Sequence, residues 1–378
     1  MPTFTGTSGN DTLTGTINQD TLIGGGGDDL MIGHAGDDYF RETHNGREAT
    51  GNSTMRGGAG NDRITVSWAE AWIEAQGGAG ADYISIGFEP EAAGSAALGL
   101  IHGGAGNDTI IASVRSSSSA EAQGKGIVIQ GGLGNDSITG TRLADTINGG
   151  LGVDTMSGGL GNDVYHVTAG DIVTEQEGGG IDTVRTDVSF RLAANVENMV
   201  MTGSAHITAQ GNTAGNLMQG NGGNNLIEGM GGVDRLFGHG GHDTLNGGAG
   251  ADTLDGGAGN DALIGGAGSD VLVGGLGADV FVFGATAHIG IGAARDVIAD
   301  FQHGIDRIDL SQIDANINAA GNQAFGWSGN RAAAHSVWQT GDGAGNTLLR
   351  GDVDGDGVQD FALELGNMRD LTASDLIL

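Results

Sequence analysis

Carboxylate side chains recur at fixed intervals along the stretch Gly211 to Val282, which divides into eight consecutive nonapeptides. Each nonapeptide has a glycine-rich first half, Asp or Asn at position six and an apolar residue at position eight, as in GGAGNDALI. Carboxylates stacked at the spacing of neighbouring strands repel one another unless a cation lies between them. A ligand set made only of carboxylate and turn carbonyl oxygens favours Ca²⁺ over Mg²⁺ or Zn²⁺. The pattern therefore predicts columns of calcium sites.

The predicted calcium ligands are the position-six aspartates of all recognisable repeats, together with the glycines of the three most regular loops. The aspartates are Asp11, Asp20, Asp29, Asp38, Asp62, Asp82, Asp108, Asp136, Asp145, Asp154, Asp163, Asp234, Asp243, Asp252, Asp261, Asp270 and Asp279. The glycines are Gly247, Gly248, Gly250, Gly256, Gly257, Gly259, Gly265, Gly266 and Gly268.

The elements that must position these ligands follow from the same repeat. Glycines in the first half permit positive φ and predict a tight turn, whereas Thr253-Leu254-Asp255 reads as a very short strand that buries one side chain. Two turns and two strands make a coil of about eighteen residues, and stacked coils bury a spine of aliphatic side chains. We therefore predict an all-β fold, a parallel β-roll or β-helix solenoid. The alternative, a disordered glycine-rich linker, does not explain the regular aliphatic residue at position eight.

In the N-terminal half the nine-residue period breaks after Arg41, and the next loops begin at Gly57, Gly77, Gly103 and Gly131. These intervals are close to or longer than a whole coil, so we predict that one column stays continuous while the other is interrupted. The continuous column is Asp38, Asp62, Asp82, Asp108, Asp136 and Asp154. The other contains Asp11 and Asp29, is absent from four coils, and resumes with Asp145 and Asp163.

Four longer turns, 42–52, 67–71, 87–99 and 113–125, replace the missing loops along one edge. Trp68, Trp72 and Phe88 lie in or beside them, and exposed aromatics on such an edge could bind a sugar or peptide. The other interpretation is that these rings cap the apolar core where a calcium turn was lost.

Composition narrows the class of protein. The 378 residues include 77 Gly and no Cys, and the net charge is −32. The absence of cysteine excludes disulfides and thiolate metal sites, and the acidic balance argues against nucleic acid and anionic membranes as partners. No apolar run is long enough to span a membrane, and the N-terminal residues show no Sec signal, so we expect a soluble protein.

The nonapeptide resembles the calcium-binding repeat of RTX proteins. From about Gly229 onward, VFVFG (280–284), RDVIADFQHGIDRIDLSQID (295–314) and LTASDLIL (371–378) resemble the C-terminal domain of serralysin-type metalloproteases. That resemblance implies a β-rich cap and a type I secretion signal that ends in Asp375-Leu376-Ile377-Leu378, although an ordinary terminal strand is the alternative. The implied domains are an N-terminal β-roll (1–165), a connector (166–210), a second β-roll (211–282) and the cap (283–378).

A further acidic turn lies in the cap. Asp352, Asp354, Asp356 and Asp360 match positions one, three, five and nine of an EF-hand loop, but Leu363 stands where the loop needs its bidentate acid. The apolar neighbours favour a β-hairpin over two helices. Calcium binding and a solvated acidic turn both remain open.

The serralysin catalytic motif HExxH and the lipase motif GxSxG are both absent from this sequence. The resemblance to RTX proteins and to the serralysin C-terminal domain implies a secreted calcium-binding protein, exported by a type I machinery, and we predict that it folds when it binds calcium outside the cell. Its expected role is structural or adhesive, with a glycan or cell-surface ligand. The alternative is an extracellular hydrolase or lyase that uses carboxylates of the irregular edge, such as Glu70, Glu74, Glu89 and Glu91.

Overall fold

Tight glycine-rich turns alternate with short strands along the chain. The computed structural model describes residues 1–42, 51–69, 72–88, 98–114, 125–366, 368 and 370–378. These residues form two units, Met1–Thr186 and Asp187–Leu378. The boundary falls inside the segment predicted as a connector.

The first unit is built from strands. They are β1 (Thr3–Thr5), β2 (Thr12–Thr14), β3 (Thr21–Ile23), β4 (Leu30–Ala35), β5 (Tyr39–Glu42), β6 (Ser53–Ala59), β7 (Arg63–Ala69), β8 (Ile73–Ala79), β9 (Tyr83–Phe88), β10 (Gly99–Ala105), β11 (Thr109–Val114), β12 (Lys125–Leu133), β13 (Ser137–Thr139), β14 (Ala144–Leu151), β15 (Thr155–Ser157), β16 (Val164–Val167), β17 (Ile172–Val173) and β18 (Thr183–Thr186).

Odd-numbered strands of this unit pair in sequence order into one parallel sheet, β1 to β17, and even-numbered strands pair into another, β2 to β18. Each coil thus contributes one strand to each sheet. Leu22, for example, lies in register with Phe4 on one side and Phe40 on the other. This is the arrangement of a parallel β-roll, and the predicted all-β fold is confirmed.

The second unit has the same plan, followed by a β-rich end. Its elements are β19 (Phe190–Arg191), β20 (Asn198–Met201), β21 (Thr208–Gln210), β22 (Leu217–Gln219), β23 (Leu226–Glu228), β24 (Arg235–Phe237), β25 (Thr244–Ala249), β26 (Thr253–Ala258), β27 (Ala262–Ala267), β28 (Val271–Leu276), β29 (Val280–Val282), helix α1 (Thr286–Ile289), a 3₁₀ turn (Gly292–Ala294), β30 (Val297–Ile298), β31 (Arg307–Asp309), β32 (Gly326–Trp327), β33 (Ser336–Gly341), β34 (Thr347–Gly351), β35 (Phe361–Leu365), a 3₁₀ turn (Ala373–Asp375) and β36 (Leu376–Ile377).

Parallel pairing of this unit again separates odd from even strands, with β19 to β31 in one sheet and β20 to β30 in the other. The last strands then close the roll. β35 extends the even sheet beside β30. β34 pairs antiparallel with β35, and β33 pairs antiparallel with β34, whereas β36 pairs with β31. Within the described ranges, no helix is both long and apolar enough to cross a membrane.

Position eight of each repeat forms the core, as the sequence predicts. Leu236, Leu254 and Leu272 are each 0% exposed and lie in register on neighbouring strands. Each unit has such a spine of its own, with Leu, Ile, Met, Val, Phe and Tyr at the equivalent positions. Because the spine is one side chain wide in each strand, every coil depends on its neighbours for burial.

We expect Leu254→Ala to destabilise the calcium-loaded protein by about 2–5 kcal/mol, since it leaves a cavity in the spine. Urea unfolding at saturating calcium measures this change. Leu276→Ala is the matched control, because Leu276 is 73% exposed and its truncation should change stability by less than about 0.5 kcal/mol. Equal effects for the two variants would contradict the assignment of the core.

Candidate metal centre

The position-six aspartates stack in columns that are joined by hydrogen bonds. The backbone N–H of Asp234 donates to Oδ1 of Asp252 at 2.8 Å, and that of Asp252 donates to Oδ1 of Asp270 at 2.8 Å. One carboxylate oxygen of each aspartate therefore holds the preceding turn of the column. This bond explains why the carboxylates are drawn into the stack despite their like charge.

Four such columns are present in the described residues. Column A is Asp20, Asp38, Asp62, Asp82, Asp108, Asp136, Asp154 and Asp171. Column B is Asp11 and Asp29, then Asp145, Asp163 and Asp182. Column C is Asn216, Asp234, Asp252, Asp270 and Asp296. Column D is Asn225, Asp243, Asp261, Asp279 and Asp306.

Four column members lie beyond the repeats recognised in the sequence, namely Asp171, Asp182, Asp296 and Asp306. Each lacks the regular glycine loop, which is the signal that the repeat search used. Each nevertheless keeps the second half of the repeat, an aspartate followed two residues later by a buried Val or Ile, as in Asp296-Val297-Ile298. This tripeptide is a weaker signal than the full repeat, because it also occurs at Asp375-Leu376-Ile377, which is not part of a column.

The second oxygen of most column aspartates is buried with no hydrogen-bond partner among the described residues. This holds for Oδ2 of Asp29, Asp38, Asp62, Asp82, Asp108, Asp136, Asp154, Asp163, Asp234, Asp243, Asp252, Asp261, Asp270, Asp279 and Asp296. We call the loops that end in these residues open loops. An unpaired buried carboxylate oxygen is costly, so each open loop needs a proton or a cation.

In every open loop except that of Asp296, glycine at position one keeps the space beside this oxygen clear. A Cβ on Gly247 would lie 2.5 Å from Asp252 Oδ2 and 2.6 Å from the carbonyl oxygen of Gly265 in the next coil. Gly256 has the same surroundings, with Asp261 Oδ2 at 2.6 Å. Carboxylate and carbonyl oxygens thus converge on one point, and this oxygen-only donor set fits Ca²⁺.

In the three most regular open loops, positions two and four also favour glycine. Gly248, Gly257 and Gly266 have φ of 99°, 96° and 99°, and a Cβ on Gly250, Gly259 or Gly268 would overlap a carbonyl oxygen of the preceding coil. The close approach of successive loops brings their carbonyl groups together. The nine glycines predicted from the sequence therefore shape the loops through backbone geometry.

In a second class of loop, a backbone N–H of the same loop donates to Oδ2 of the column aspartate, or to the amide oxygen where that residue is Asn, and we call these closed loops. In the loop of Asp20, the backbone N–H of Thr16 donates to Oδ2 at 2.5 Å and the Thr16 hydroxyl donates to the same oxygen at 2.9 Å. Seven column residues accept a backbone N–H from a residue three or four positions earlier, namely Asp11, Asp20, Asp145, Asp171, Asn216, Asn225 and Asp306.

The residue at position two distinguishes the two classes. Closed loops have Thr, Asn or Gln there, without positive φ, and its N–H donates to the column residue; in the loop of Asp171 the donor is Thr168, one position later. Open loops have a residue with positive φ, which is glycine except at His34, Met230 and His239 (φ 81°, 81° and 69°). Asp11, Asp20 and Asp145, predicted as calcium ligands from the repeat alone, lie in closed loops.

Burial raises the pKa of the open-loop aspartates. The pKa reaches about 6 for Asp82, about 7 for Asp62 and Asp243, and about 8 for Asp163 and Asp296. Desolvation of the charged form is the largest cause in each case, and the column N–H that donates to Oδ1 opposes it. The columns therefore hold carboxylates that resist ionisation until a cation joins them.

Position five carries a second ladder that the sequence analysis missed. The N–H of Asn224 donates to His206 Nδ1, that of His242 to Asn224 Oδ1, and that of Asn260 to His242 Nδ1, at 2.7–2.8 Å. These side chains are exposed and link successive turns on the outside of the column. The ladder contributes turn-to-turn contacts that do not involve a metal.

The irregular edge of the first unit lies largely outside the described residues, and so do the side chain of Trp68 and the acids Glu70, Glu89 and Glu91. Phe88 is 0% exposed and packs in the core, so its prediction as a ligand-binding aromatic is wrong. Its position as the last residue of β9 turns the ring inward. Trp72 is 39% exposed, and its backbone N–H donates to Asn52 Oδ1 at 3.0 Å.

The acidic turn of the cap is a hairpin between antiparallel β34 and β35, as its apolar neighbours indicate. Carboxylate oxygens of Asp352, Asp354 and Asp356 lie within 4.8 Å of one another. Asp352 is buried and accepts the N–H groups of Gly355 and Gly357. Asp360 is held apart from this group and accepts the N–H of Val353 at 2.7 Å.

Two family models match the chain. The RTX calcium-binding nonapeptide repeat (4 copies) matches residues 5–40, 49–67, 100–113, 129–165 and 210–245. The Peptidase M10 serralysin C terminal model matches residues 256–378. This chain is an RTX protein with a serralysin-type C-terminal domain. RTX repeats bind calcium, so the RTX chain is a calcium-binding protein, and both matched families are typical of secreted proteins.

Among solved structures, the RTX chain is similar to the R3 subunit of the mannuronan C5-epimerase AlgE6 from Azotobacter vinelandii, determined in solution. The sequence identity is 30%, the match covers 43% of this chain and 78% of that one, and the TM-score is 0.21. No curated protein gives a significant match.

Proposed function

We propose that this RTX protein is a secreted structural or adhesive protein, exported through a type I machinery, whose repeat coils fold as they bind calcium. The observation that carries the proposal is the series of buried, partnerless Oδ2 atoms in the open loops. Without a cation these carboxylates oppose the fold, and with one they hold successive coils together. Metal binding and folding are then one event, because no site exists in the unfolded chain.

The open loops bind the calcium ions in this proposal, and the closed loops do not. In an open loop, Asp82 for example, Oδ1 holds the preceding turn while Oδ2 and the carbonyl oxygen of Gly103 in the next turn face the same point beside Gly77. In a closed loop, the N–H of position two occupies the equivalent oxygen. Asp11, Asp20 and Asp145 therefore act as structural acceptors, while the remaining predicted aspartates, with Asp296 added, act as ligands.

Export as an unfolded chain suits this chemistry. In a compartment with little free calcium, the glycine-rich loops lose much conformational entropy on folding and their aspartates repel. Outside the cell, extracellular calcium sites commonly bind at about 10⁻⁴ to 10⁻³ M. The chain would thus remain open until it reaches calcium.

A structural or adhesive role follows from what the described site offers. Its acids are held in columns by backbone bonds. Glu74, which was predicted as an acid of the irregular edge, lies in strand β8 and accepts a hydrogen bond from Gln76 Nε2 at 2.7 Å. An exposed Trp72 on the same edge could contact a glycan or a cell surface.

The ligand assignment is tested with matched substitutions in column A. We expect Asp82→Asn, in an open loop, to remove one bound calcium ion, since the neutral amide replaces the oxygen that faces the site. Asp20→Asn, in a closed loop, should leave the number of bound ions unchanged, because the amide oxygen of asparagine still accepts the backbone N–H of Thr16. Native mass spectrometry at saturating calcium counts the ions. Loss of an ion in Asp20→Asn, or no loss in Asp82→Asn, would overturn the assignment.

A further inference from the structure

Glu42 is a buried acid that the repeat pattern does not explain. It is the last residue of β5 and directly follows the repeat Gly33 to Arg41, so it takes position one of the next loop, where the regular loops have glycine. Its side chain is 1% exposed. Neither carboxylate oxygen has a hydrogen-bond partner among the described residues. Such a group needs a positive partner or a proton.

The Glu42 carboxylate points into the open loop Gly24 to Asp29. A Cβ on Gly24 would overlap Glu42 Oε2 and would lie 2.6 Å from Asp29 Oδ2. In a regular open loop, a glycine carbonyl of the next coil lies at this place, as Gly265 does beside Gly247. Glu42 therefore puts a carboxylate oxygen where the repeat normally puts a carbonyl oxygen.

This replacement occurs where column B is interrupted. The backbone N–H of Asp29 donates to the Ser53 hydroxyl at 3.3 Å, whereas elsewhere it would donate to the next aspartate of the column. The loop of Asp29 has thus lost the carboxylate that a following turn supplies. Glu42 lies at position one of the coil that follows Asp29. Its carboxylate supplies both the missing negative charge and the missing oxygen.

Glu175 occupies the same repeat position after Asp171 and shows that this placement recurs. Its Oε1 accepts the N–H of Gly158 at 3.2 Å and the hydroxyl of Tyr165. A glutamate at position one therefore turns toward the preceding loop in both places. At Glu175 a hydroxyl and a backbone N–H reach the carboxylate, whereas the Glu42 carboxylate lies beside that of Asp29.

We propose that Glu42 and Asp29 together bind a calcium ion that closes the first, short run of column B. This inference rests on the proposed function, since it takes calcium as the occupant of open loops. It adds a side-chain ligand from outside position six, and it explains how a column can end without leaving Asp29 unpaired.

Native mass spectrometry of the full chain with calcium as the probe tests the site. We expect Glu42→Gln and Asp29→Asn each to lose one ion, and the double variant also to lose one, because both residues hold the same ion. Asp20→Asn is the control and keeps the full count. A wild-type chain that binds no calcium would refute the proposed function itself. A wild-type chain that binds calcium while Glu42→Gln keeps every ion would overturn only this inference, as would a double variant that loses two.

Circular dichroism at saturating calcium checks that each variant folds. If Glu42→Gln does not fold, Glu42→Asp decides the question, since it keeps the charge but shortens the side chain. We then expect one ion to bind more weakly, and unchanged binding of every ion would contradict the site.

Discussion

Excess chelator at pH 7.5 will unfold the repeat coils, with loss of the β-sheet circular dichroism signal and an increase in hydrodynamic radius. Fifteen open-loop aspartates have a buried Oδ2 without a partner in the described residues. Each uncompensated buried charge costs several kcal/mol, whereas a folded domain is stable by only about 5–15 kcal/mol. The metal-free fold therefore cannot hold these carboxylates ionised. Adding calcium back should restore the signal in a cooperative transition, because neighbouring loops share each site.

Magnesium at the same concentration is the control for this experiment. It demands near-octahedral geometry and gives up its water ligands reluctantly, so we expect little recovery of β structure. Sodium at matched ionic strength separates binding from charge screening, which would act on exposed carboxylates without regard to the ion. A cooperative β fold that persists in chelator at pH 7.5 would contradict the coupling of metal binding to folding.

Much of this architecture follows from the sequence because the repeat couples two independent signals. A buried residue at position eight sets the strand, and an aspartate at position six sets the turn. Where both signals persist, as at Asp82 with Ile84, column A stays unbroken although successive aspartates are separated by 20 to 28 residues. The extra residues are absorbed on the other side of the coil, where column B is interrupted.

The rest could not be predicted because the glycine half of the repeat is not required everywhere. Asp296 and Asp306 close columns C and D with little of the glycine pattern, since the last turns need only an acceptor for the preceding N–H. The roles of Thr16 and Glu42 could not be predicted from the sequence either. They depend on which way a backbone N–H or a side chain points, and residue spacing does not report that direction.

Closed loops have a consequence for the folding of each unit. The first two loops of the first unit, those of Asp11 and Asp20, are closed, and so are those of Asn216 and Asn225 in the second. Asn216 and Asn225 carry no charge at all, so these turns can form without calcium. The open loops then stack against turns that already hold an internal hydrogen bond, which lowers the entropic cost of ordering the first ions' sites.

In the presence of chelator, lowering the pH from 8 to 5.5 will restore part of the β structure that calcium removal abolishes. Burial raises the pKa of Asp62 and Asp243 to about 7 and of Asp82 to about 6, from an ordinary value of 3.8. Between these limits the folded, metal-free chain binds more protons than the unfolded chain. By linkage its stability therefore increases as the pH falls through the raised values, and the gain levels off below about pH 4, where the unfolded carboxylates are protonated as well.

Calcium binding shows the opposite dependence, because an ion must displace the protons that acid conditions place on the open loops. The calcium concentration at half-saturation should thus increase from pH 8 to 5.5, and binding near pH 6.5 should release protons into a weakly buffered solution. The triple variant Asp62→Asn, Asp82→Asn and Asp243→Asn mimics the protonated carboxyl groups. It should therefore show more β structure than the wild type in chelator at pH 8, and a smaller change between pH 8 and 5.5. A metal-free chain that is less folded at pH 5.5 than at pH 8 would show that burial of these carboxylates does not oppose folding.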